Sequence, residues 1–208
     1  MKKFVMTIVA TIMAAAMSVA LAACGGGSGN GLSSETDPAL AGESDTLVVY
    51  FSASGNTQTI ARWIAEDTNG ELFFIQTETD YSSYSYNELL DIAQEEQRNN
   101  ARPTLTTSIP AEYWASYDTV FIGFPNWWGD MPMAVYSFLE TYAAGDYGFA
   151  GKNVVPFVTS GGSGFSNTRS EITRICEGAT ILEGLSVRDS NVDNARDDVT
   201  EWINGLNI

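Results

Sequence analysis

Leu47, Val48, Val49, Tyr50 and Phe51 are apolar in unbroken succession, without the polar alternation of a strand that faces water on one side. Such a strand is buried on both faces, the condition of a parallel sheet covered by helices above and below. From Thr46 onward apolar runs alternate with helical patterns. Strands are expected near 46–52, 71–77, 118–124, 153–159 and 180–187, and helices near 56–68, 86–98, 132–143, 166–176 and 192–204. Five strand–helix units in about 160 residues suit one doubly wound α/β domain over 46–208, without internal repeats.

Two places strain this pattern. Pro156 falls inside the fourth strand, where a lost ladder donor is poorly tolerated, so it marks either the first paired residue or a bulge. The connection from Thr79 to Tyr117 is long for this class and carries Tyr81, Tyr84 and Tyr86, a helix and the Arg102-Pro103 break. Excursions of that length usually serve a function or pack as a flap.

The first 45 residues belong to a different regime. Lys2 and Lys3 precede an apolar stretch from Phe4 to Ala20 and small residues at Ala22 and Ala23, as in a secretory leader. Leu21-Ala22-Ala23-Cys24 resembles the lipobox of bacterial lipoproteins, which implies a signal peptide over 1–23 and a lipid on Cys24. The alternative is an uncleaved anchor, since the stretch is nearly long enough to span a bilayer. Either way the domain is expected outside the cytoplasm, anchored to a bacterial membrane. Residues 24–45, opening Gly25 to Gly31 as GGGSGNG, read as a flexible Gly/Ser-rich and acidic tether.

Composition removes several chemistries. With no histidine in the chain, a Ser-His-Asp triad, a Cys-His pair and any histidine-based metal site are excluded. Cys176 is then the one thiol besides Cys24; it sits in an apolar-periodic stretch with Ile172 and Ile175 and reads as a small buried hydrophobe. No side chain is assigned a catalytic acid–base role and no metal is expected, so the chemistry falls to a cofactor. The formal charge of −16 becomes −18 once Lys2 and Lys3 leave with the leader. That surface repels nucleic acid and anionic headgroups, while it could steer a basic redox partner.

In an open α/β sheet the ligand crevice lies beyond the carboxyl ends of the strands, at the switch in strand order. After the first strand, Ser52, Ala53, Ser54, Gly55, Asn56 and Thr57 offer hydroxyls and backbone N–H groups to an anion, and the next helix aims its N-terminal dipole at the same spot. No Gly-Lys-Ser/Thr follows and there is one glycine, so neither a Walker loop nor a Rossmann fingerprint is present. After the third strand comes Gly123-Phe124-Pro125-Asn126-Trp127-Trp128-Gly129-Asp130-Met131-Pro132. Two adjacent indoles in a Pro/Gly-bounded loop cannot share one core, and an indole over the crevice is a platform for a flat ligand. After the fourth strand, Thr159, Ser160, Gly161, Gly162, Ser163, Gly164 and Phe165 form a loop whose backbone can approach a ring edge closely. One phosphate and one planar ring describe flavin mononucleotide, FMN.

Ser52-Ala53-Ser54-Gly55-Asn56-Thr57 resembles the flavodoxin phosphate loop, S/T-x-S/T-G-x-T, and Trp128-Gly129-Asp130 resembles the W-G-D of its first flavin loop. The full combination, with Gly151-Lys152 and Pro156-Phe157, is similar to a flavodoxin-like subgroup found as bacterial lipoproteins. Pro125 with Trp127 or Trp128 and Pro132 is also similar to the loop of flavodoxin-like NAD(P)H:quinone reductases. The resemblance implies a five-stranded parallel sheet in the order 2-1-3-4-5 within three layers, and non-covalent FMN. Ser52, Ser54, Gly55, Asn56 and Thr57 would hold the phosphate, with Pro125, Asn126, Trp127, Trp128 and Gly129 beside the ring. Trp128 or Trp127 would cover that ring, and the Gly129 carbonyl would stabilise its one-electron-reduced state. Thr159, Ser160, Gly161, Gly162, Ser163 and Phe165 would meet the pyrimidine edge.

The outer-face tyrosine of many flavodoxins is absent from the third loop. Phe165 or a tyrosine of the long excursion replaces it, or that face is open to a substrate. Glu177-Gly178-Ala179-Thr180 lacks the acceptor of a flavinylation motif. Electron carrier and flavin oxidoreductase, acting on a redox protein or a small quinone-like acceptor, both remain, as does a binding module without flavin.

Overall fold

The computed structural model describes residues 39–145 and 147–208. The expected leader, Cys24 and the tether as far as residue 38 lie outside the described residues. Among the described residues no helix is long and apolar enough to cross a membrane.

Four parallel strands, β1 (Thr46–Tyr50), β2 (Glu71–Phe74), β3 (Thr119–Pro125) and β4 (Asn153–Ser160), lie in the order β2-β1-β3-β4. The fifth position is shared by two short strands, β5 (Thr180–Ile181) and β6 (Leu185–Arg188), both parallel to β4. The expected order 2-1-3-4-5 is present, with its last strand broken.

Pro156 explains the break. It pairs with Ile122 of β3 and so lies within its strand, which removes the first-paired-residue reading. Residues of a parallel strand bond alternately to its two neighbours, and the Val154 carbonyl accepts from the Leu182 N–H at 2.9 Å. Two residues on, the donor that Pro156 lacks is therefore missing from the same edge. Val154 pairs with Ile181 and Phe157 with Leu185, so Val155 and Pro156 face three residues, Leu182, Glu183 and Gly184. The bulge is real, but it sits in the neighbouring strand. There the Trp202 indole N–H satisfies the Glu183 carbonyl at 3.0 Å.

Alternate residues of each strand feed two separate cores. Leu47, Val49, Ile122 and Val158 join Phe138 and Leu139 of α4 (Met133–Tyr142) and Ile172 and Ile175 of α5 (Thr168–Ile175). Val48, Tyr50, Phe121 and Val155 face Ile60 and Ile64 of α1 (Asn56–Thr68) and Val199 and Ile203 of α6 (Arg196–Gly205). Helices thus cover both sheet faces in the expected three layers. Each fully buried Val, Ile or Phe contributes about 1.5–3 kcal/mol.

The long excursion is packed. It carries α2 (Tyr86–Arg98), opened by a reciprocal capping box between Ser85 and Glu88, and a short helix that the periodicity does not reveal, α3 (Ala111–Ser116). Trp114 anchors α3 in the first core, while Leu89, Ile92 and Leu105 pack against its margin. Near the N-terminus the Glu71 carboxylate accepts from the N–H groups of Ala41, Gly42, Glu43 and Ser44 and from the Tyr117 hydroxyl. The fold therefore grips the chain ahead of Thr46, inside the stretch expected to be free tether.

Candidate functional site

The loop expected to hold a phosphate leaves β1 at Phe51, and Gly55 takes φ 92° to start α1. That left-handed turn costs a side-chain-bearing residue about 1–2 kcal/mol and suits glycine. No side chain caps α1. Its first internal bond runs from the Thr59 N–H to the Gly55 carbonyl at 2.9 Å, which leaves the N–H groups of Asn56, Thr57 and Gln58 outside the helical ladder. Uncapped N–H groups and a helix dipole form an anion site. Ser52 Oγ accepts the Gly55 N–H at 3.1 Å and holds the loop closed. Thr57 and Thr159 share a buried hydroxyl–hydroxyl hydrogen bond of 2.9 Å, tying this loop to the end of β4.

The second loop is a two-residue hairpin. Trp127 and Asp130 exchange backbone hydrogen bonds of 2.9 and 3.0 Å, with Trp128 at φ 55° and Gly129 at φ 84° between them. Two successive left-handed residues make a type I′ turn, in which a tryptophan at the first position is strained. The turn separates the indoles. Trp127 folds back onto Phe51 and Tyr81, with ring centroids 5.4 and 5.8 Å away. Trp128 stays 52% exposed and donates its indole N–H to the Leu90 carbonyl of α2 at 3.0 Å. Asn126 joins the second and third loops. Its side-chain oxygen accepts the Gly129 N–H at 2.9 Å, and its amide donates to the Gly164 carbonyl at 2.7 Å and to Ser166 Oγ at 3.1 Å.

Beyond the carboxyl ends of β1, β3 and β4, at the switch in strand order, lies a cleft of ≈ 220 Å3. Among the residues expected at the site, Ser52, Ser54, Pro125, Asn126, Trp127, Trp128, Thr159 and Gly161 line it. The others stand outside the lining. Gly55 caps α1, Asn56 and Thr57 begin it, and Gly129 occupies the hairpin turn. Ser160 Oγ organises the third loop by accepting the Gly162 and Gly164 N–H groups at 3.2 and 3.0 Å. Ser163 follows in that loop, its carbonyl turned to the Ser166 hydroxyl at 3.5 Å. Phe165 packs at the margin of the first core, beneath the Arg169 guanidinium at 5.8 Å.

Other parts of the chain also contribute walls. Tyr86, Leu89, Leu90 and Ala93 of α2 form one side, and Asp189, immediately after β6, forms part of another. Asp189 obeys the carboxyl-end rule, applied to the fifth strand as well as to the first, third and fourth. The α2 face carries no such signal. Tyr86 comes from the long excursion and is 75% exposed, which places an aromatic ring at the mouth with Trp128. Cys176 is buried away from the cleft, and burial pushes its thiol up to about 12. Among the described residues no cluster of carboxylates and thiols could hold a metal.

The sequence profile of the flavodoxin family matches residues 45–206. The chain belongs to the flavodoxin family. A solved structure of a candidate flavoprotein from Bacteroides uniformis is 32% identical, with a TM-score of 0.65 and coverage of 77% of this chain and 98% of that one. Another, from Bacteroides eggerthii, is 28% identical with a TM-score of 0.65 over 78% and 98% of the two chains. A flavoprotein from Lactobacillus acidophilus, solved in complex with FMN, is 26% identical with a TM-score of 0.56 over 71% and 95%. No curated protein matches.

Proposed function

We propose that this protein binds FMN non-covalently and uses it to move electrons outside the cytoplasm, tethered to a bacterial membrane through a lipid on Cys24. The observation that carries the reading is the meeting, in one cleft, of the loop before the uncapped α1 N-terminus with an exposed, strained tryptophan. The donor set fits the group. N–H groups at the start of α1 and the hydroxyls of Ser52 and Ser54 answer a phosphate, while Trp128 offers an open ring face. Bound FMN supplies one- and two-electron transfer, which the histidine-free chain does not supply itself. The protein's part is to hold the phosphate, orient the ring and shield it from water on the α2 side. The FMN complex of the Lactobacillus acidophilus relative supports this assignment.

Carrier and reductase differ in what reaches the ring. The exposure of Tyr86 and Trp128 at the mouth favours access by a small quinone-like acceptor or a docking redox protein, whose basic face the acidic surface would steer. Reconstitution of the purified protein with FMN is expected to shift the flavin absorbance and give micromolar or tighter affinity. Colourless protein that leaves the flavin spectrum unchanged sinks the proposal in favour of a non-redox binding module. Steady-state NAD(P)H oxidation with a quinone acceptor separates reductase from carrier. Cys24→Ala is expected to move the protein from the membrane to the soluble fraction; retention in the membrane would refute the lipid anchor.

A further inference from the structure

A second cavity, of ≈ 360 Å3, adjoins the phosphate loop at the ends of β1 and β2 and shares Ser52 alone with the Trp128 cleft. Its volume lies within the range of small-ligand sites, about 300–1,000 Å3. Tyr50 and Phe74 stack in its wall at 5.2 Å and 28°; Tyr50 is buried, but Phe74 is half-buried and presents a ring flank. Gln76 is exposed, and its amide makes no hydrogen bond among the described residues. Gln58 donates to the Tyr50 hydroxyl at 3.1 Å, which leaves its carbonyl oxygen available. Asp80 accepts the Ser82 N–H and hydroxyl through one carboxylate oxygen, at 3.1 and 2.6 Å, with the other oxygen still open. No lysine or arginine lines the cavity. The part of a ligand lodged here is therefore uncharged and flat, with a hydrogen-bonding edge and hydroxyl donors, and at Ser52 it reaches an anion site.

We propose that this cavity takes the adenosine of an adenosine 5′-phosphate group whose phosphate lies at Ser52–Thr57. The proposal rests on the reading of that loop as a phosphate site. A glutamine amide matches the N6/N7 edge of adenine, a carboxylate suits ribose hydroxyls, and the aromatic flank covers the base. A free adenine mononucleotide, which competes with FMN for the loop, carries this group.

The purified full-length protein, titrated with FMN, AMP and GMP by flavin fluorescence and calorimetry, tests this. AMP displaces FMN competitively, GMP is at least tenfold weaker, and Gln76→Ala weakens AMP tenfold while changing FMN affinity less than twofold. Asp80→Asn gives the same pattern from the ribose side, and retained FMN affinity shows that either variant is folded. No displacement of FMN by AMP overturns the proposal, as does AMP affinity that survives both substitutions. Failure of the FMN reading looks different: FMN does not bind, whereas AMP still gives a Gln76-dependent heat.

Discussion

At the scale of single residues, the two adjacent tryptophans have separate duties. Trp128→Ala is expected to weaken FMN by about 1–1.5 kcal/mol, roughly a tenfold rise in Kd, with little change in stability, because its exposed ring gives up stacking rather than core packing. Trp127→Ala is expected to cost about 2 kcal/mol of folding stability, since its ring packs on Phe51 and Tyr81. Equal effects of the two substitutions in flavin and urea titrations would contradict this division. Gly123 is a different kind of constraint. A Cβ there would lie 2.0 Å from the Phe157 ring, so Gly123→Ala forces that central phenylalanine out of place. A loss of about 1–3 kcal/mol in urea unfolding is expected, and an unchanged midpoint would refute the close packing. The sequence places Gly123 in a strand but cannot say that a ring from the next strand fills its missing side chain, because that contact depends on register.

Among the elements, β1, α1, β3 and α4 were legible because apolar runs and amphipathic periods are local. The break between β5 and β6 was not, since Pro156 removes a donor from its neighbour and its own strand continues. Nor was α3 legible: six residues carry too little periodicity, and Trp114 holds them from within the core. The grip of β2 on the N-terminal segment depends equally on distant partners. Burial would raise the Glu71 carboxyl, but hydrogen bonds from Tyr117 and the 41–44 backbone outweigh it and hold the group below its ordinary value of 4.5. Glu71→Gln keeps the shape but discards the charge. It is expected to lower the melting temperature by a few degrees and to speed amide exchange over 41–45, at roughly 1.5–3 kcal/mol for a charged hydrogen-bond set in this partly exposed place. Unaltered exchange there would show that the clasp does not anchor the chain.

For the molecule as a whole, titration sets the limits of stability. Glu71 and Asp67, the latter held down chiefly by its hydrogen bond to Arg196, have depressed folded values. Their contribution is full above their ordinary values of 4.5 and 3.8 and is lost as pH falls through the depressed ones. At the other end, burial lifts Cys176 from 9.0 to about 12, so its contribution is complete below pH 9 and drains away between pH 9 and 12. In a Cys24→Ala chain, Cys176 is expected to resist a thiol reagent at pH 8 until denaturant is added; prompt labelling of native protein would mean that the site opens. The sequence by itself determined the alternation of strands and helices, the make-up of the loops that follow β1, β3 and β4, and the lack of histidine chemistry, because each is read directly from the residues. Only the tertiary structure decided which tryptophan stays exposed at the cleft and which packs on Phe51 and Tyr81, that α2 and Asp189 wall it, where the fifth strand breaks, and that a second cavity meets the first at Ser52. Those features arise where segments far apart in the chain pack together, and no local pattern records them.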